Sequence, residues 1–312
     1  MNRSGTVLIT GPTRNLGRHA VLAMADRPDG QRPDLLLVGR PGRDLTAVAD
    51  EARARGARVH EIGCDLASLA EVRAAAAAAR ELLDAGAVRP LRALIANAGI
   101  TSADTRQASP DGYELTFAVN YLAHAQLIGD LLGSFTAPAR IVLLGSNTYH
   151  ANFWRGLLHV PEARWADPVD LARPASGPEV PGTTASGVAY SNAKLAILYC
   201  AHELQRHAGA GIGVSVFEPG WMPGTALGRG APAAMQAIGR FLGRIPGVST
   251  PRRSGPLLAS MALDDRWAQL RDGAFVVKTE LTDVQPVAHD RDRESRLWEA
   301  TGELLERAAA RR

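Results

Sequence analysis

The chain has 312 residues, 46% of them hydrophobic, which is enough apolar material for the core of one open α/β domain. Its net charge of +3 comes without a basic run or interleaved aromatic residues, so no nucleic-acid partner is expected. An apolar segment begins at Thr6, no segment approaches the roughly 20 apolar residues of a membrane span, and two cysteines make no disulfide framework. We therefore expect a cytoplasmic protein without a membrane partner.

Apolar segments and helical segments alternate along the chain. Strands are predicted near 6–10, 34–39, 58–62, 91–96, 139–145, 212–217 and 273–277. Helices are predicted near 15–27, 42–56, 67–85, 111–135, 187–208 and 252–264, with a final helix after the last strand. Continuous apolar strands, such as residues 35–38, indicate a parallel sheet covered on both faces. The predicted fold class is therefore α/β, a doubly wound parallel sheet of the Rossmann type, as a single domain over 1–312.

A glycine-bearing turn joins the first strand to the first helix. Gly11 lets the backbone leave the strand sharply, and Gly17 lets the helix begin close to it, although two such glycines also occur as plain packing. Asn15 stands where a third glycine would be expected, and Asn tolerates left-handed backbone better than most residues. The free N–H groups of the helix start form an anion site suited to a pyrophosphate. The cofactor-binding residues predicted in this turn are Gly11, Thr13, Arg14, Asn15, Leu16 and Gly17.

The end of the second strand indicates which dinucleotide is bound. An acidic residue there takes the ribose hydroxyls of NAD, whereas arginine suits a 2′-phosphate. The strand ends at Arg40, with Arg43 close behind and no acid before Asp44, and Arg14 lies in the glycine turn. Guanidinium groups match phosphate in a bidentate way, so NADP(H) is the predicted cofactor. The alternative is a set of arginines that only face solvent.

Tyr190 and Lys194 are one helical turn apart, which places their Cβ atoms about 5–6 Å from each other. An ammonium beside a phenol favours the phenolate, so we expect the pKa of Tyr190 to lie below its usual value of about 10. Such a phenol can act as a general acid or base near neutral pH. The spacing alone also fits an ordinary surface pair.

Six motifs in one order resemble the short-chain dehydrogenase/reductase family over nearly the whole chain. The glycine turn matches except at Asn15, and an N-A-G motif follows the fourth strand. The other matches are a helix Asn, a Ser after the fifth strand, the Y-x-x-x-K pair and a P-G motif after the sixth strand. These five motifs are Asn97-Ala98-Gly99, Asn120, Ser146, Tyr190 with Lys194, and Pro219-Gly220.

The resemblance implies a role for each matched residue. Tyr190 would exchange a proton with the substrate oxygen, Lys194 would tune Tyr190 and hold the nicotinamide ribose, and Ser146 would hydrogen-bond the substrate oxygen. Asn120 would hold a water that relays protons to Lys194. No metal is implied. The remaining cofactor contacts implied are Asp65 and Leu66 on the adenine side, Asn97, Ala98, Gly99, Tyr190, Lys194, Pro219, Gly220 and Thr225.

The segment between Ser146 and Tyr190 departs from the family pattern because these residues are 44 positions apart, far more than is usual. We expect an insertion over 147–187 on the substrate side and a second substrate-side loop over 221–250. Aromatic residues in the insertion suggest an apolar wall over the site. They are Tyr149, His150, Phe153, Trp154, His159 and Trp165. The alternative is that they pack into a small core of their own.

The predicted function is NADPH-dependent reduction of a ketone on a bulky hydrophobic or aromatic molecule, or the reverse alcohol oxidation. The motifs around Pro219-Gly220 and Tyr190 resemble the retinol dehydrogenase and protochlorophyllide reductase-like branch. A C=C reductase and, less favoured because of Arg14, a redox-neutral epimerase remain alternatives, as does a non-catalytic NADP-binding sensor. A homodimer is a further expectation from the family.

Overall fold

The computed structural model describes residues 5–151, 161–177, 182–222 and 249–311. The strands form one sheet in the order β3-β2-β1-β4-β5-β6-β7-β8. Every neighbouring pair is parallel except β7 and β8, which are antiparallel. The strands are β1 (Thr6–Thr10), β2 (Asp34–Gly39), β3 (Val59–Gly63), β4 (Leu91–Ala96), β5 (Phe135–Leu144), β6 (Ile212–Glu218), β7 (Ala274–Val277) and β8 (Glu280–Leu281).

Helices cover both faces of the sheet, as the continuous apolar strands predict. One buried cluster joins the sheet to α3, α5, α7 and α9, and a second joins it to α1, α2 and α8. The helices are α1 (Asn15–Ala25), α2 (Arg43–Arg53), α3 (Leu69–Asp84), α4 (Leu115–Phe117), α5 (Ala123–Leu131), α6 (Pro168–Leu171), α7 (Thr183–His207), α8 (Pro251–Leu263) and α9 (Arg291–Ala310). The predicted α/β class and doubly wound parallel sheet are confirmed.

The sequence predicted one helix over 111–135, and this interpretation was wrong at both ends. The helical segment begins with α4 at Leu115, continues through a π-helical turn over Ala118–Leu122, and ends with α5 and a short 3-10 turn. Phe135 already belongs to β5, where it pairs with Leu91 of β4. Gly133 and Ser134, which lie in the short 3-10 turn directly before Phe135, were the available signal for this boundary.

The order of the strands reverses at β1, since β2 lies on one side of it and β4 on the other. In open α/β sheets, ligands bind outside the carboxyl ends of the strands at such a reversal. The glycine turn follows β1, the N-A-G motif follows β4, and Ser146 follows β5. The fold therefore gathers the predicted site residues along one edge of the sheet.

The described part of the insertion packs along the outer face of α7. Ser191 donates to the Pro161 carbonyl (Oγ to O, 2.8 Å), and the Arg164 N–H donates to the Asn192 side chain (N to Oδ1, 2.8 Å). Trp165 lies edge-on against Tyr199, with ring centroids 4.8 Å apart. With this segment on one side, and the sheet and α9 on others, the fourteen residues 191–204 of α7 are all buried.

Two of the aromatic residues predicted to form a wall over the site are instead part of the core. Tyr149 is buried against Phe275 of β7 and accepts the Gln285 N–H, and Trp165 lies on the outer face of α7. The expectation for these two was wrong because Tyr149 packs inward against β7 and Trp165 packs against Tyr199 of α7. Phe153, Trp154 and His159 lie outside the described residues, as does most of the loop 221–250.

Candidate active site

The glycine turn has the backbone that the sequence predicts. Gly11 has φ = 63°, and Asn15 has φ = 46°, so Asn15 supplies the left-handed conformation expected of the third glycine. The turn packs tightly on the loop after β4. A Cβ at Gly17 would lie 2.2 Å from the Gly11 carbonyl oxygen and 2.6 Å from Asn97 Nδ2. These glycines are therefore required by close backbone approach, and no side chain caps the start of α1.

We expect Gly17→Ala to weaken dinucleotide binding at least tenfold and to destabilise the fold by about 1–3 kcal/mol, the usual cost of an overpacked site. The clash is with a backbone carbonyl, which cannot move without opening the turn. Gly129→Ala in α5 is the control, because nothing lies within 4 Å of its added Cβ. Isothermal titration and urea unfolding measure both effects, and equal behaviour of the two variants would contradict the packing interpretation.

Two exposed arginines lie near the glycine turn, one within it and one after β2. Arg40 is exposed just beyond β2. Arg14 is also exposed and pairs with Asp44 of α2 (Nη2 to Oδ2, 2.6 Å). An exposed pair of this kind contributes little to stability, so a phosphate could draw Arg14 away from Asp44 at small cost. Both guanidinium groups are thus available to an anion at this edge.

Buried hydrogen bonds connect the turn to the loop after β4. Asn97 Nδ2 donates to the carbonyls of Thr10 (2.9 Å) and Gly11 (3.0 Å). The Thr10 hydroxyl accepts the N–H groups of Asn97 and Ala98, both at 3.0 Å. With both lone pairs occupied, this hydroxyl donates its proton to His124 Nε2 at 2.9 Å. The side chain of Asn97 therefore positions the glycine turn.

Asn120 lies in the π-helical turn between α4 and α5 and is fully buried. Its side chain bonds both backbone groups of Ile100: Oδ1 accepts from N at 2.8 Å and Nδ2 donates to O at 2.9 Å. Its main-chain carbonyl accepts from His124 Nδ1 at 3.1 Å. π-Helical turns often mark functional positions because they displace a carbonyl from the regular helix ladder. His124, which our sequence analysis did not single out, thus links Asn120 to Thr10.

His124 is held neutral, because one ring nitrogen donates to a carbonyl and the other accepts from a hydroxyl. Burial, with a smaller effect from the Lys194 charge, lowers the pKa of His124 to about 4. The unfolded chain takes up this proton near pH 6.5 and the folded chain only near pH 4. We therefore expect the free energy of unfolding to decrease as the pH is lowered from about 6.5 to about 4, by about 3 kcal/mol in all.

Urea unfolding at about pH 7.5 and about pH 5 checks this, with His124→Gln compared against the wild type. His202 also has a lowered pKa, mainly through burial, so the quantity of interest is the difference between the two proteins. His124→Gln should lose part of the pH dependence. An identical pH dependence in the two proteins would contradict a lowered pKa at His124.

Tyr190, Lys194 and Ser146 meet beyond the ends of β5 and β6. Lys194 is buried, donates from Nζ to the Leu144 carbonyl (2.6 Å), and its Nζ lies 5.5 Å from the centre of the Tyr190 ring. Burial lowers the pKa of Lys194 to about 8, against the opposing effect of the Glu218 charge. The Ser146 hydroxyl is within hydrogen-bonding range of Tyr190 and lowers the pKa of that phenol.

The expectation of a depressed pKa at Tyr190 was wrong for this structure. Burial, followed by the negative charge of Glu218, raises the pKa of Tyr190 well above 10, and the Ser146 hydrogen bond offsets only part of this. Helical spacing showed that Lys194 is near but could not show how far the phenol is removed from water. Tyr190 is therefore a phenol at neutral pH, the form that can donate a proton.

Glu218 is a further site residue that our sequence analysis missed. It is 7% exposed at the end of β6, and its carboxylate accepts the Asn147 N–H (2.7 Å) and the Gly220 N–H (3.0 Å). Its position immediately before Pro219-Gly220 was the available signal. An acidic residue at the end of a buried apolar strand indicates a polar site there, as the arginine after β2 does.

The remaining predicted cofactor contacts that fall within the described residues lie at the same edge of the sheet. Asp65 and Leu66 follow β3, where Asp65 Oδ1 accepts the Ala67 N–H at 3.0 Å and shapes the turn into α3. Gly99 lies against Asn120: a Cβ there would be 3.4 Å from Asn120 Oδ1. Gly220 has φ = 83°. Thr225 lies outside the described residues.

A group away from this edge has the composition of a metal site. The ligand atoms of His202, His289 and Glu294 lie within 4.8 Å of one another. His202 Nδ1 is 2.7 Å from Glu294 Oε1, and Arg206 binds the other carboxylate oxygen at 2.5 Å. The carboxylate is thus already used by a histidine and an arginine that tie α7 to α9, and an adjacent guanidinium disfavours a cation.

Comparisons with known proteins agree with this arrangement. The family model described as short chain dehydrogenase matches residues 5–155. Human retinol dehydrogenase 13 is 26% identical over 96% of this chain and 84% of that protein. The protein named as the daunorubicin C-13 ketoreductase DnrU of a Streptomyces species is 29% identical over 95% of this chain and 91% of its own length. Protochlorophyllide reductase A of Hordeum vulgare is 31% identical over 73% of this chain and 60% of that protein.

A solved structure shares the fold. A short chain dehydrogenase from Burkholderia cenocepacia, crystallised in complex with NADP, covers 88% of this chain and 96% of its own, with a TM-score of 0.62 and 20% identity. Among the described residues, no helix is both long and apolar enough to cross a membrane. With the glycine turn, the N-A-G motif and the Ser–Tyr–Lys group at one sheet edge, the chain belongs to the short-chain dehydrogenase/reductase family, near its retinol dehydrogenase and protochlorophyllide reductase branch.

Proposed function

We propose that the chain reduces a ketone on a bulky, hydrophobic or aromatic small molecule, with NADPH as the hydride donor, and that it can run the reverse oxidation. The observation that carries this proposal is the group formed by half-buried Tyr190 and buried Lys194 beside Ser146, at the edge where the glycine turn also lies. The relative named as a ketoreductase supports a ketone as the substrate.

The glycine turn fits a dinucleotide. A Cβ at Gly17 would meet the Gly11 carbonyl, so the turn has no room for a side chain there, and the first N–H groups of α1 have no side-chain cap. Backbone donors of this kind bind a pyrophosphate. Arg14 in the turn and Arg40 just after β2 are exposed, and arginines at these positions suit a 2′-phosphate, which supports NADP(H) over NAD(H). The bound cofactor would supply the hydride.

The chain's own residues would supply the proton and the electrostatics. Tyr190, whose raised pKa keeps it protonated at neutral pH, would donate its proton to the substrate oxygen. Ser146 would donate a hydrogen bond to the same oxygen and stabilise the charge that develops there. Lys194, fixed on the Leu144 carbonyl, would hold the ribose and favour proton release from Tyr190. Asn120 is rigidly placed by Ile100 and His124 and would anchor a proton-relaying water.

The choice of a bulky substrate rests on the long segment between Ser146 and Tyr190, although Tyr149 and Trp165 do not form its wall. A homodimer, if it forms, would have to use a surface other than the outer face of α7, since residues 161–177 occupy that face. The cytoplasmic location stays a prediction.

The test is oxidation of NADPH and of NADH over a panel of aromatic and polycyclic ketones and enones, with products identified by mass spectrometry and NMR. Conversion of a ketone to an alcohol with NADPH preferred would support the proposal. Reduction only at a C=C bond would assign the other reductase chemistry to the site. Tight NADPH binding without turnover on any member would favour the sensor alternative.

A further inference from the structure

We infer that Glu218 is a positioning residue of this site, which joins the Ser146 loop to the Pro219-Gly220 turn and supplies the negative charge that Lys194 and Tyr190 face. This inference extends the proposed function, because it assumes that these two residues carry the reaction. The evidence lies in backbone contacts, in burial and in the placement of the chain's lysines.

The Glu218 carboxylate connects two separate loops. One oxygen accepts the N–H of Asn147, the residue after Ser146, and the other accepts the N–H of Gly220. A single side chain thus fixes the loop that bears the predicted substrate-binding serine against the turn after β6. Because both acceptors are carboxylate oxygens, a neutral amide could satisfy only one of the two N–H groups.

Glu218 is also placed to act on Lys194. Phe217 of β6 pairs with Leu144 of β5, and the Leu144 carbonyl is the group that binds Lys194 Nζ. Glu218 is therefore the residue that follows the pairing partner of Leu144 along β6, and the Leu144 carbonyl accepts a hydrogen bond from the Lys194 ammonium. Both side chains are buried, where charges interact more strongly than in water. The Glu218 charge raises the pKa of Lys194 and of Tyr190.

The lysine content of the chain makes this placement unusual. Of 35 basic residues, only two are lysines, Lys194 and Lys278, and the others are arginines. Lys278 follows β7, its N–H donates to the Glu218 carbonyl (2.8 Å), and its side chain passes close to Gly220. Among the described residues, Tyr190 and Lys194 from α7 feel the charge of Glu218, and Lys278 contacts Glu218 from the turn after β7. Both lysines lie beside this one carboxylate.

Two lysines also permit a direct test without substrate. Protein labelled at the lysine side chains with ¹³C and ¹⁵N gives two sets of side-chain signals, and Lys278→Arg assigns them. In the wild type, the Lys194 signal should titrate near pH 8. In Glu218→Gln it should titrate about one unit lower, since a neighbouring opposite charge is lost. The pH profile of kcat/KM, once a substrate is known, should shift to lower pH as well.

Glu114→Gln is the matched control. Glu114 is also a buried glutamate that accepts a backbone N–H, from Phe117 at 2.7 Å, but it caps α4 and is not among the charges that shift the pKa of Lys194 or Tyr190. In Glu114→Gln, the Lys194 signal should titrate at the same pH as in the wild type. If Glu218→Gln does not fold, Glu218→Asp, which withdraws the charge by one methylene, should lower the Lys194 titration by part of that shift.

An unchanged Lys194 titration in the folded Glu218 variant would overturn the inference, whatever the enzyme turns over. A lowered titration with no turnover of any ketone would leave the electrostatic role of Glu218 supported while the proposed function failed. The two failures are therefore distinguishable.

Discussion

Tyr190→Phe is expected to bind NADPH with wild-type affinity and to reduce its ketone at least a hundredfold more slowly. Positioned proton transfer contributes about 10²–10⁴ to a rate, and the variant removes the only atom of Tyr190 that carries the proton. The ring itself remains, so the packing against Lys194 is kept. Steady-state turnover and fluorescence titration of NADPH measure the two quantities separately.

Tyr199→Phe is the matched control for this prediction. Tyr199 lies on the same helix, is fully buried and donates its hydroxyl to the Val287 carbonyl at 2.6 Å, away from Lys194. Its loss should cost about 1 kcal/mol of stability and leave turnover within a few fold. If Tyr190→Phe retained near-wild-type activity, another group would be the acid and the assignment of Tyr190 would have to be withdrawn.

Replacing Arg14 and Arg40 together by alanine should weaken NADPH binding about a hundredfold while changing NADH binding only a few fold. Each guanidinium would lose charge-assisted hydrogen bonds to a 2′-phosphate, worth about 1.5–3 kcal/mol apiece. NADH lacks that phosphate and should be nearly indifferent. Dissociation constants for both nucleotides at low salt give the comparison, since exposed charges are screened as salt rises.

Two further variants sharpen the cofactor experiment. Arg53→Ala removes an exposed arginine from the far end of α2, where it pairs with Asp50 and Glu61, and should not alter the ratio of the two affinities. Asp44→Asn frees Arg14 from its ion pair and should strengthen NADPH binding slightly. Equal losses of NADPH and NADH affinity in the double variant would refute the phosphate assignment.

The sequence was sufficient for the fold and for the edge at which the site lies, because both follow from local patterns. Apolar segments such as residues 34–39 begin and end where the strand does, and Gly11, Gly17 and Asn15 have the backbone roles their residue types suggest. Tyr190 and Lys194 are close because helical spacing alone brings them together. The helix boundary near 135 failed because the helix was extended past Gly133 and Ser134, the turn residues at which it ends.

What the sequence could not give depends on contacts between distant segments. His124 reaches Thr10 across 114 positions, and Glu218 reaches Asn147 across 71. Neither pair has a fixed spacing that a motif could encode. The direction of the pKa shift at Tyr190 could not be predicted for the same reason, since it depends on how far the phenol is removed from water and on the charge of Glu218 from β6. Trp165 was misplaced because its partner, Tyr199, lies on the far side of the helix.

The burial of residues 191–204 on every side of α7 has an evolutionary consequence. A helix with one exposed face can accept neutral substitutions there and drift in sequence, whereas this stretch has no such face. Substitutions within 191–204 must therefore fit neighbours on all sides, and Lys194 stands in the middle of this stretch. We expect this part of the chain to vary less in sequence than the exposed residues that precede the helix.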